Sequence, residues 1–494
     1  MVVIAGLSMT WSLATPLFDG PDEYAHAARA YAIFSGELVP PSGTSTRAGD
    51  LIPTPASFDR QEFRYPRCLI ARPEATPNCL PPVVSAHGEH RAPSSAGRYP
   101  PLYYVMVGLP LKLFPGTFGG LLLARLLSAL LSAMFLASAV LSAFQSKYSS
   151  CLLAGLVVAI PPEVLYTNGV VNPSAFEVSA AIAVWMAGLV LVTERDTRGD
   201  WRLMARLGVA SLALVAVKAS GPLLLLLIAM VLLALAKPSR LLLLARDRTF
   251  IGWGATVGLA AVGSVAWTLL VHPNSLDPTR HVRALGGTAK LVRTSIGLWD
   301  GWARQMVGNF GYADLPAPQL THYVWLLLVG ALLVAAAVAS SPRLAVALAV
   351  LLTIVLVAPV IGSTLIARSI GFGYQGRYTL PVAVGLPLLA ALAVGTRLSG
   401  SAVQRRLLVV VTALAGTAHL AAFSYVLHRF AVGQSGPLIF WTHPLWSPVL
   451  PPALLLLTQL ALVASAVALA AVAACSTGGR REGAGARREA TVAA

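Results

Sequence analysis

Charged residues are scarce in this sequence. Asp, Glu, Lys and Arg together make up 11% of its 494 residues, while 56% of the residues are hydrophobic. Soluble domains carry about 25% charged residues, so a soluble protein is excluded. The formal net charge is +16, but the basic residues lie between hydrophobic runs rather than in one patch. That distribution argues against a nucleic-acid partner and is typical of membrane topology.

The signatures of soluble enzymes are also missing. The sequence has no Walker A motif, no dinucleotide-binding fingerprint, no H-E-x-x-H, no C-x-x-C and no G-x-S-x-G. Cysteine is rare as well, with four in the chain. Cys68 and Cys79 share one polar loop, where they form either a disulfide or two free thiols, and a disulfide requires that loop to lie outside the cytoplasm.

Long apolar runs dominate what remains. They are continuous in Leu, Ala and Val, whereas barrel strands would alternate, so we predict an all-α, polytopic bundle of about twelve transmembrane helices. Both termini are predicted in the cytoplasm, because that orientation places the most basic short loops inside. The predicted spans are 2–18, 118–144, 151–167, 174–193, 204–219, 221–236, 250–271, 323–340, 344–366, 379–396, 407–427 and 449–473.

One integral membrane domain, 1–473, and a disordered basic cytoplasmic tail, 474–494, follow from this pattern. Two extracytoplasmic loops, 18–117 and 272–322, are too long to be simple connectors. The Pro/Ser/Thr/Gly-rich middle of the first loop predicts a flexible segment, and its aromatic last part predicts helices in the membrane interface. The first span lacks a basic start and a small-residue cleavage site, so we expect it to be retained rather than removed as a signal peptide.

Two adjacent acids follow the first span in FDGPDEYAHAARAYAIFSGEL, residues 18–38. On the helix predicted there, Asp22, His26 and Arg29 share one face, with Glu23 at its edge. A carboxylate so close to a span is costly unless it faces water or a site. The alternative is an ordinary interfacial helix, whose N-terminus favours acids.

Basic residues near span ends are candidates for binding phosphate. IARSIGFGYQGRYTLPVAVGLP, 366–387, combines glycines with Gln375, Arg377 and Tyr378, and an arginine fork matches phosphate oxygens. Lys218, at the end of its span, is a second candidate cation. Both patterns also suit residues that anchor spans to headgroups or extend to the interface.

Amides and carboxylates beside aromatic residues suit sugar rings. WDGWARQMVGNFGYADLPAP, 299–318, contains Asn309 and Asp314 in this setting, although an interfacial aromatic belt has the same composition. Asn172 lies in a short turn before a span whose first residues include Glu177. An Asn-Pro turn is ordinary, but a carboxylate at membrane depth indicates function.

Six of these segments, in this order, resemble the bacterial membrane family DUF2142. They are GPDEYAHAARAYAIFSGEL, YPPLYYVMVGLP, VVNPSAFEVSAA, VKASGPLLLLL, GNFGYADLPAP and GYQGRYTLP. That family is similar to the GT-C glycosyltransferases, polytopic enzymes that take sugars from polyprenyl-phosphate carriers. The resemblance implies a GT-C-like fold in the bacterial plasma membrane, with Asp22 or Glu23 in the acidic position of the first outer loop.

The implied activity is transfer of a sugar from a polyprenyl-phosphate donor to an envelope glycan or lipid at the extracytoplasmic face. Asp22 is the expected base, with Glu23 assisting it or binding a divalent cation together with it. His26 orients the acid or ligates the metal, and Arg377 and Lys218 hold the departing phosphate. One displacement inverts the anomeric carbon.

Two other functions fit the same residues. A transporter or flippase of lipid-linked saccharide would use the charged groups to bind substrate during alternating access. A non-catalytic protein of envelope assembly would use them structurally. Transport predicts inverted repeats and broken helices, and the sequence shows no convincing internal repeat.

Overall fold

The computed structural model describes residues 1–492 except 47, 85, 87, 195–199, 272–285 and 399–400. Within these residues the chain is mainly α-helical. The first helices are α1 (Val2–Ala14), α2 (Glu23–Phe34), α3 (Gln61–Arg64), α4 (Leu102–Val107), α5 (Leu109–Leu113), α6 (Phe118–Ala143), α7 (Ser149–Val158), α8 (Pro162–Asn168), α9 (Pro173–Thr193), α10 (Trp201–Val217) and α11 (Gly221–Leu235). The remaining helices are α12 (Pro238–Leu244), α13 (Arg248–Val271), α14 (Thr288–Gly297), α15 (Trp299–Val307), α16 (Gln319–Ala339), α17 (Pro342–Ile370), α18 (Leu380–Ala383), α19 (Gly385–Arg397), α20 (Ser401–Val432) and α21 (Pro452–Val492).

The predicted apolar runs all fold as helices, which confirms a multi-pass helical membrane protein. In the described chain, eight helical stretches are long and apolar enough to cross a membrane. A ninth arises if α7 and α8, bent by 72° at their break, form one span. α1 and α11 are apolar but have 13 and 15 residues, so the count of twelve stays a prediction, as do the orientation and the division at 473.

Helix breaks follow proline. Pro161 and Pro162 separate α7 from α8 and bend a run that the sequence analysis treats as one span, because proline removes an amide donor and clashes with the preceding turn. α9 forms the centre of the bundle, with 94% of its apolar window buried, whereas α13 has 6% buried and lies at the edge. The residues that face the bundle interior near α9 are therefore the ones with the strongest packing constraints.

The first long loop is more ordered than its composition predicts. A three-stranded antiparallel sheet, β1 (Ser45–Thr46), β2 (Gly49–Pro55) and β3 (Glu89–Ser94), occupies the segment expected to be flexible. The sheet contacts α2, where Ser94 Oγ donates to the carbonyl of Ala25 at 2.9 Å. The prediction of a flexible segment is wrong because tertiary contacts override local proline and glycine content.

The second long loop is joined to the bundle by aromatic packing. Its short hairpin, β4 (Asn309–Phe310) and β5 (Leu315–Pro316), places Phe310 against Trp11 of α1, with ring centroids 5.0 Å apart. Tyr166 of α8 packs edge-on to both rings and donates its hydroxyl to the carbonyl of Gly311 at 2.9 Å. Stacked and edge-to-face rings of this kind fix the loop close to the start of α2.

Cys68 and Cys79 are joined by a disulfide with a Cα–Cα distance of 6.0 Å. The segment that it closes contacts the C-terminal end of α20, where the buried Arg429 donates to the carbonyls of Leu69 and Arg72. This disulfide therefore holds the far end of the first loop onto the bundle.

Removal of this disulfide is expected to destabilise the protein. Cys68→Ser/Cys79→Ser frees the enclosed segment in the unfolded chain and should cost about 2–4 kcal/mol. The measurement is the thermal unfolding midpoint in detergent, with and without reductant. Reductant should lower the midpoint of the native protein to that of the variant, and equal midpoints for native and variant under oxidising conditions would contradict the expectation.

Candidate functional site

A cavity of about 580 Å³ lies at one end of the bundle, where α2, the starts of α9 and α11 and the end of α17 meet. Its polar wall contains seven of the residues that the sequence analysis selected. They are Asp22, His26, Asn172, Lys218, Gln375, Arg377 and Tyr378. These residues lie far apart in the chain, so helix packing brings them together.

The shortest charged contact in this cavity joins Asp22 and Arg377. Nη2 of Arg377 donates to Oδ2 of Asp22 at 2.6 Å, although 355 positions separate the residues. The arginine side chain is 4% exposed and the aspartate side chain 39% exposed, so protein encloses the cation while the carboxylate faces open space. Nε of Arg377 has no hydrogen-bond partner among the described residues. The pair retains an unused donor and an accessible acceptor.

Backbone geometry sets the position of both charged groups. Asp22 is the N-cap residue of α2 with φ of 58°, and its side chain makes no capping bond. Arg377 lies in a 3₁₀ turn, Gly376–Tyr378, whose Gly376 amide donates to Oε1 of Gln305 at 2.8 Å. A Cβ atom at Gly376 would lie 2.2 Å from the carbonyl oxygen of Trp302. Only glycine allows this approach, which presents Arg377 to the cavity.

A second ion pair lies in the same cavity. Nζ of Lys218 donates to Oε2 of Glu177 at 2.9 Å and to Ser174 Oγ at 3.3 Å. Lys218 Nζ is 5.0 Å from the Tyr378 ring centroid, and the Arg377 guanidinium carbon is 5.4 Å from the same centroid. Tyr378 therefore contacts both cations, and each cation is balanced by one carboxylate.

His26 lies beside Asp22 as a neutral imidazole. Its Nδ1 is 2.9 Å from the hydroxyl of Tyr104. Burial lowers the pKa of His26 to about 3, and this outweighs the opposite effect of Asp22. A neutral ring can accept or donate one hydrogen bond within the cavity, but it adds no positive charge there at neutral pH.

His26→Gln should flatten the acid sensitivity of the protein. Because the folded-state pKa of His26 lies below the ordinary 6.5, the unfolded chain binds a proton there that the folded chain does not. Stability from this group is complete above pH 6.5 and is lost as the pH falls towards 3, by up to about 1.4 kcal/mol per pH unit. The thermal midpoint of the variant should therefore fall less steeply than that of the native protein between pH 6.5 and 4.5. The two curves should be parallel above pH 7.5, and parallel curves at acid pH would disprove the assignment.

Glu23, the other member of the acidic pair, does not line the cavity. It is fully buried and forms a bidentate ion pair with Arg125 of α6, with contacts of 2.7 and 2.5 Å. Arg125 is absent from our sequence-based candidates. Its signal was a single arginine within the apolar run of α6, because a charge at that depth requires a partner.

Three other predicted site residues have structural partners instead. Arg29 is buried and donates to the carbonyls of Leu38 and Tyr99. Asn309 Nδ2 donates to the carbonyl of Ala313 at 2.7 Å. None of the three lines the charged cavity, and the last of them, Asp314, accepts backbone amides through both carboxylate oxygens.

Glu163 is a buried acid that the sequence analysis does not select. It lies on α8, directly after the proline break, and accepts from the backbone amide of Asn309 at 2.8 Å. Its contact explains how Asn309 is held: the amide group of that loop binds protein rather than a sugar. An acid immediately after Pro161 and Pro162 was the available signal, since broken membrane helices expose backbone groups that need partners.

The acidic residues do not fit a divalent cation. Both oxygens of Glu23 are bound by Arg125, and Oε1 also accepts the amide of Val171 at 3.0 Å. Asp22 is paired with Arg377 instead. No group of three or more His, Cys, Asp or Glu side chains with metal-binding geometry occurs in the described part of the chain. Magnesium and calcium need several oxygen ligands, which these two acids do not present together.

A second cavity, of about 410 Å³, lies on the other side of the segment that carries Arg377. Its walls are mostly apolar, and its ion pair, Asp300 with Arg304, is 77% and 62% exposed. Exposed pairs of this kind contribute little binding energy. We therefore place the candidate site in the charged cavity.

Fold and site define a polytopic helical membrane protein with two ion pairs in one cavity at the end of the bundle. The chain belongs to the family described as predicted membrane protein (DUF2142), whose profile matches residues 6–386. This confirms the family resemblance drawn from the sequence.

The chain is also similar to solved structures of ArnT from Cupriavidus metallidurans. With the apo structure the identity is 15% and the TM-score 0.43, over 96% of this chain and 74% of that one. With the structure bound to undecaprenyl phosphate the identity is 15% and the TM-score 0.41, over 97% and 77%. None of the curated proteins matches the chain.

Proposed function

We propose that this protein is a membrane glycosyltransferase of the GT-C type. It moves a sugar from a polyprenyl-phosphate carrier to a hydroxyl group of an envelope glycan or lipid. The observation that supports this most directly is the contact between Asp22 and Arg377 in one cavity. A base and a phosphate-binding cation are the two groups that such a transfer needs.

The shape of the cavity suits an amphipathic donor. From the ion pairs it continues between α11 and α17, where its walls become apolar, including Leu223, Leu227, Ile354 and Ala358. A phosphate at the charged end would leave a polyprenyl chain beside these side chains, where burial of apolar surface stabilises it. The polar end, lined by Tyr99 and Gln375 as well, would hold the sugar.

In the proposed reaction Asp22 accepts the proton of the acceptor hydroxyl while that oxygen bonds to the anomeric carbon. The bond between this carbon and the phosphate oxygen breaks, and its electron pair leaves with the phosphate. The carrier gains one negative charge as Asp22 loses one, so charge is balanced. Arg377 and Lys218 stabilise the new charge. Attack opposite the leaving phosphate inverts the anomeric carbon.

Arg377 links binding to chemistry in this scheme. In the structure its Nη2 is paired with the carboxylate of Asp22. An arriving phosphate competes for the same guanidinium and would weaken that pairing, which makes Asp22 a better proton acceptor. The donor would then prepare the base for the acceptor.

Transport of lipid-linked saccharide is the second candidate, favoured by the 72° bend between α7 and α8. Broken helices are typical of secondary transporters. Pro161, at this break, lines the apolar 410 Å³ cavity rather than the charged one. The break therefore lies apart from the groups that would bind a phosphate.

The test uses purified protein in lipid nanodiscs with labelled polyprenyl-phosphate sugars and fractions of bacterial envelope as acceptors. Transfer should place label in the acceptor and release an equal amount of polyprenyl phosphate. If the protein binds the carriers but releases polyprenyl phosphate from none of them, it is not a glycosyltransferase. Movement of intact labelled carrier across proteoliposomes would instead identify a transporter.

A further inference from the structure

Arg125 uses all of its donors in a fully buried ion pair. Its Nε and one Nη2 proton bind the two oxygens of Glu23. Its other donors bind the carbonyls of Ser12 at 3.2 Å, Thr15 at 2.8 Å and Pro16 at 2.8 Å. Five N–H groups therefore meet five acceptors, and both side chains have 0% exposure. Neither group has an atom left for a substrate.

The acceptors belong to three different parts of the chain. Ser12 to Pro16 form the C-terminal end of α1 and its exit, where backbone carbonyls lack helical partners. Glu23 begins α2, and Arg125 lies within α6. The pair thus joins the end of the first helix to the start of the second across the six-residue connection that contains Asp22.

The turn before α9 holds the other side of this connection. The amide of Val171 donates to Oε1 of Glu23 at 3.0 Å, and Nδ2 of Asn172 donates to the carbonyl of Pro21 at 2.8 Å. Asp22 lies between Pro21 and Glu23, so both of its chain neighbours are fixed by the same turn.

Asp22 itself has an unfavourable backbone conformation. Its φ of 58° lies in the left-handed region, which an L-residue adopts only when its surroundings enforce it. No capping bond of its own side chain supports this conformation. The bonds to Pro21 and Glu23 are thus the contacts available to impose it.

We propose that Glu23 and Arg125 are positioning residues, which hold Asp22 in its left-handed conformation and keep its carboxylate against Arg377. The proposal rests on the proposed function for its catalytic consequence, but its geometric part does not. Within the acidic pair, Asp22 then faces the cavity and touches substrate, while Glu23 faces the bundle and touches only protein.

The geometric test measures the distance between positions 22 and 377. Asp22→Cys/Arg377→Cys is treated with a short bis-thiol reagent, in the native background and with Glu23→Gln/Arg125→Gln added. The second background removes both charges together, because removal of one would leave the other buried and unpaired. Cross-linking should be several-fold slower in the second background. Asp300→Asn/Arg304→Gln, which removes an exposed pair, should leave the rate unchanged.

The catalytic test uses Glu23→Gln/Arg125→Gln in the otherwise native chain. A misplacement of Asp22 by about 1 Å should lower kcat by about 100-fold. The KM for the donor should change little, because Arg377 and Lys218 remain. A variant with folding defects alone would instead lose binding and activity in parallel.

The outcomes separate the two proposals. Equal cross-linking rates in folded protein, or a native kcat in the double variant, would overturn the positioning role. Slower cross-linking with no transfer by the native protein would support the positioning role and reject the glycosyltransferase. If the double variant does not fold, Arg125→Lys replaces it, since it keeps the charge but loses donors to the carbonyls of α1. It should slow cross-linking in the same direction, and an unchanged rate would again overturn the role.

Discussion

Asp22→Asn is expected to lower the rate of sugar transfer by about 10²–10⁴-fold, the usual contribution of a general base. Asparagine has nearly the same shape and tolerates the left-handed region well, so the φ of 58° at this position can persist. The amide cannot accept the proton of the acceptor hydroxyl. Polyprenyl phosphate should bind as tightly as before or more tightly, because its phosphate no longer competes with a carboxylate for Arg377.

The measurement combines initial transfer rates with equilibrium binding of polyprenyl phosphate to the same preparations. Asp300→Asn is the matched control, since Asp300 is 77% exposed and pairs with Arg304 outside the charged cavity. It should transfer at the native rate. Full transfer by Asp22→Asn, in an assay where the native protein is active, would reject Asp22 as the base.

Arg377→Gln is expected to weaken both binding and chemistry. A charge-assisted hydrogen bond to phosphate contributes about 1.5–3 kcal/mol, so the affinity for polyprenyl phosphate should fall about 10–100-fold. The transfer rate should fall by about 10²–10³-fold, because the cation also stabilises charge that develops on the departing phosphate. Arg377→Lys should restore part of the affinity, since it keeps a point charge but loses the planar fork.

Arg304→Gln is the matched control for this second substitution, because the Arg304 side chain is 62% exposed. The two site variants differ in pattern: Asp22→Asn should separate binding from transfer, whereas Arg377→Gln should lose both. The double variant should lose less than the sum of the two effects, because the residues contact each other. Fully additive losses would mean that the 2.6 Å contact has no energetic role in the reaction.

The sequence alone established the membrane class and the positions of the helices. With 11% charged residues and apolar runs of membrane length, only backbone-satisfied helices can be stable in lipid. Its motifs also selected Asp22 and Arg377, which the structure brings to 2.6 Å. That selection depended on a family resemblance, since no local rule joins residues 355 positions apart.

The roles within each motif needed the tertiary structure. Adjacent residues on a helix point about 100° apart, so one of Asp22 and Glu23 had to face away from any shared site. Local pattern cannot say which one, because the answer lies in Arg125, 102 positions further along the chain. The same holds for Asp314, whose carboxylate accepts the amide of Ala71 across 243 positions.

Order in the first long loop was also a tertiary outcome. Proline and glycine between 49 and 55 predict flexibility, yet β2 pairs with β3 about 40 positions later and both lie against α2. Local propensity is worth fractions of a kcal/mol per residue, whereas burial against a preformed helix face is worth more. The sequence by itself determined which solvent surrounds the chain and where its helices lie. The tertiary structure decided which charges meet in the cavity, because a buried charge is stable only beside its partner, and that partner is set by packing rather than by sequence distance.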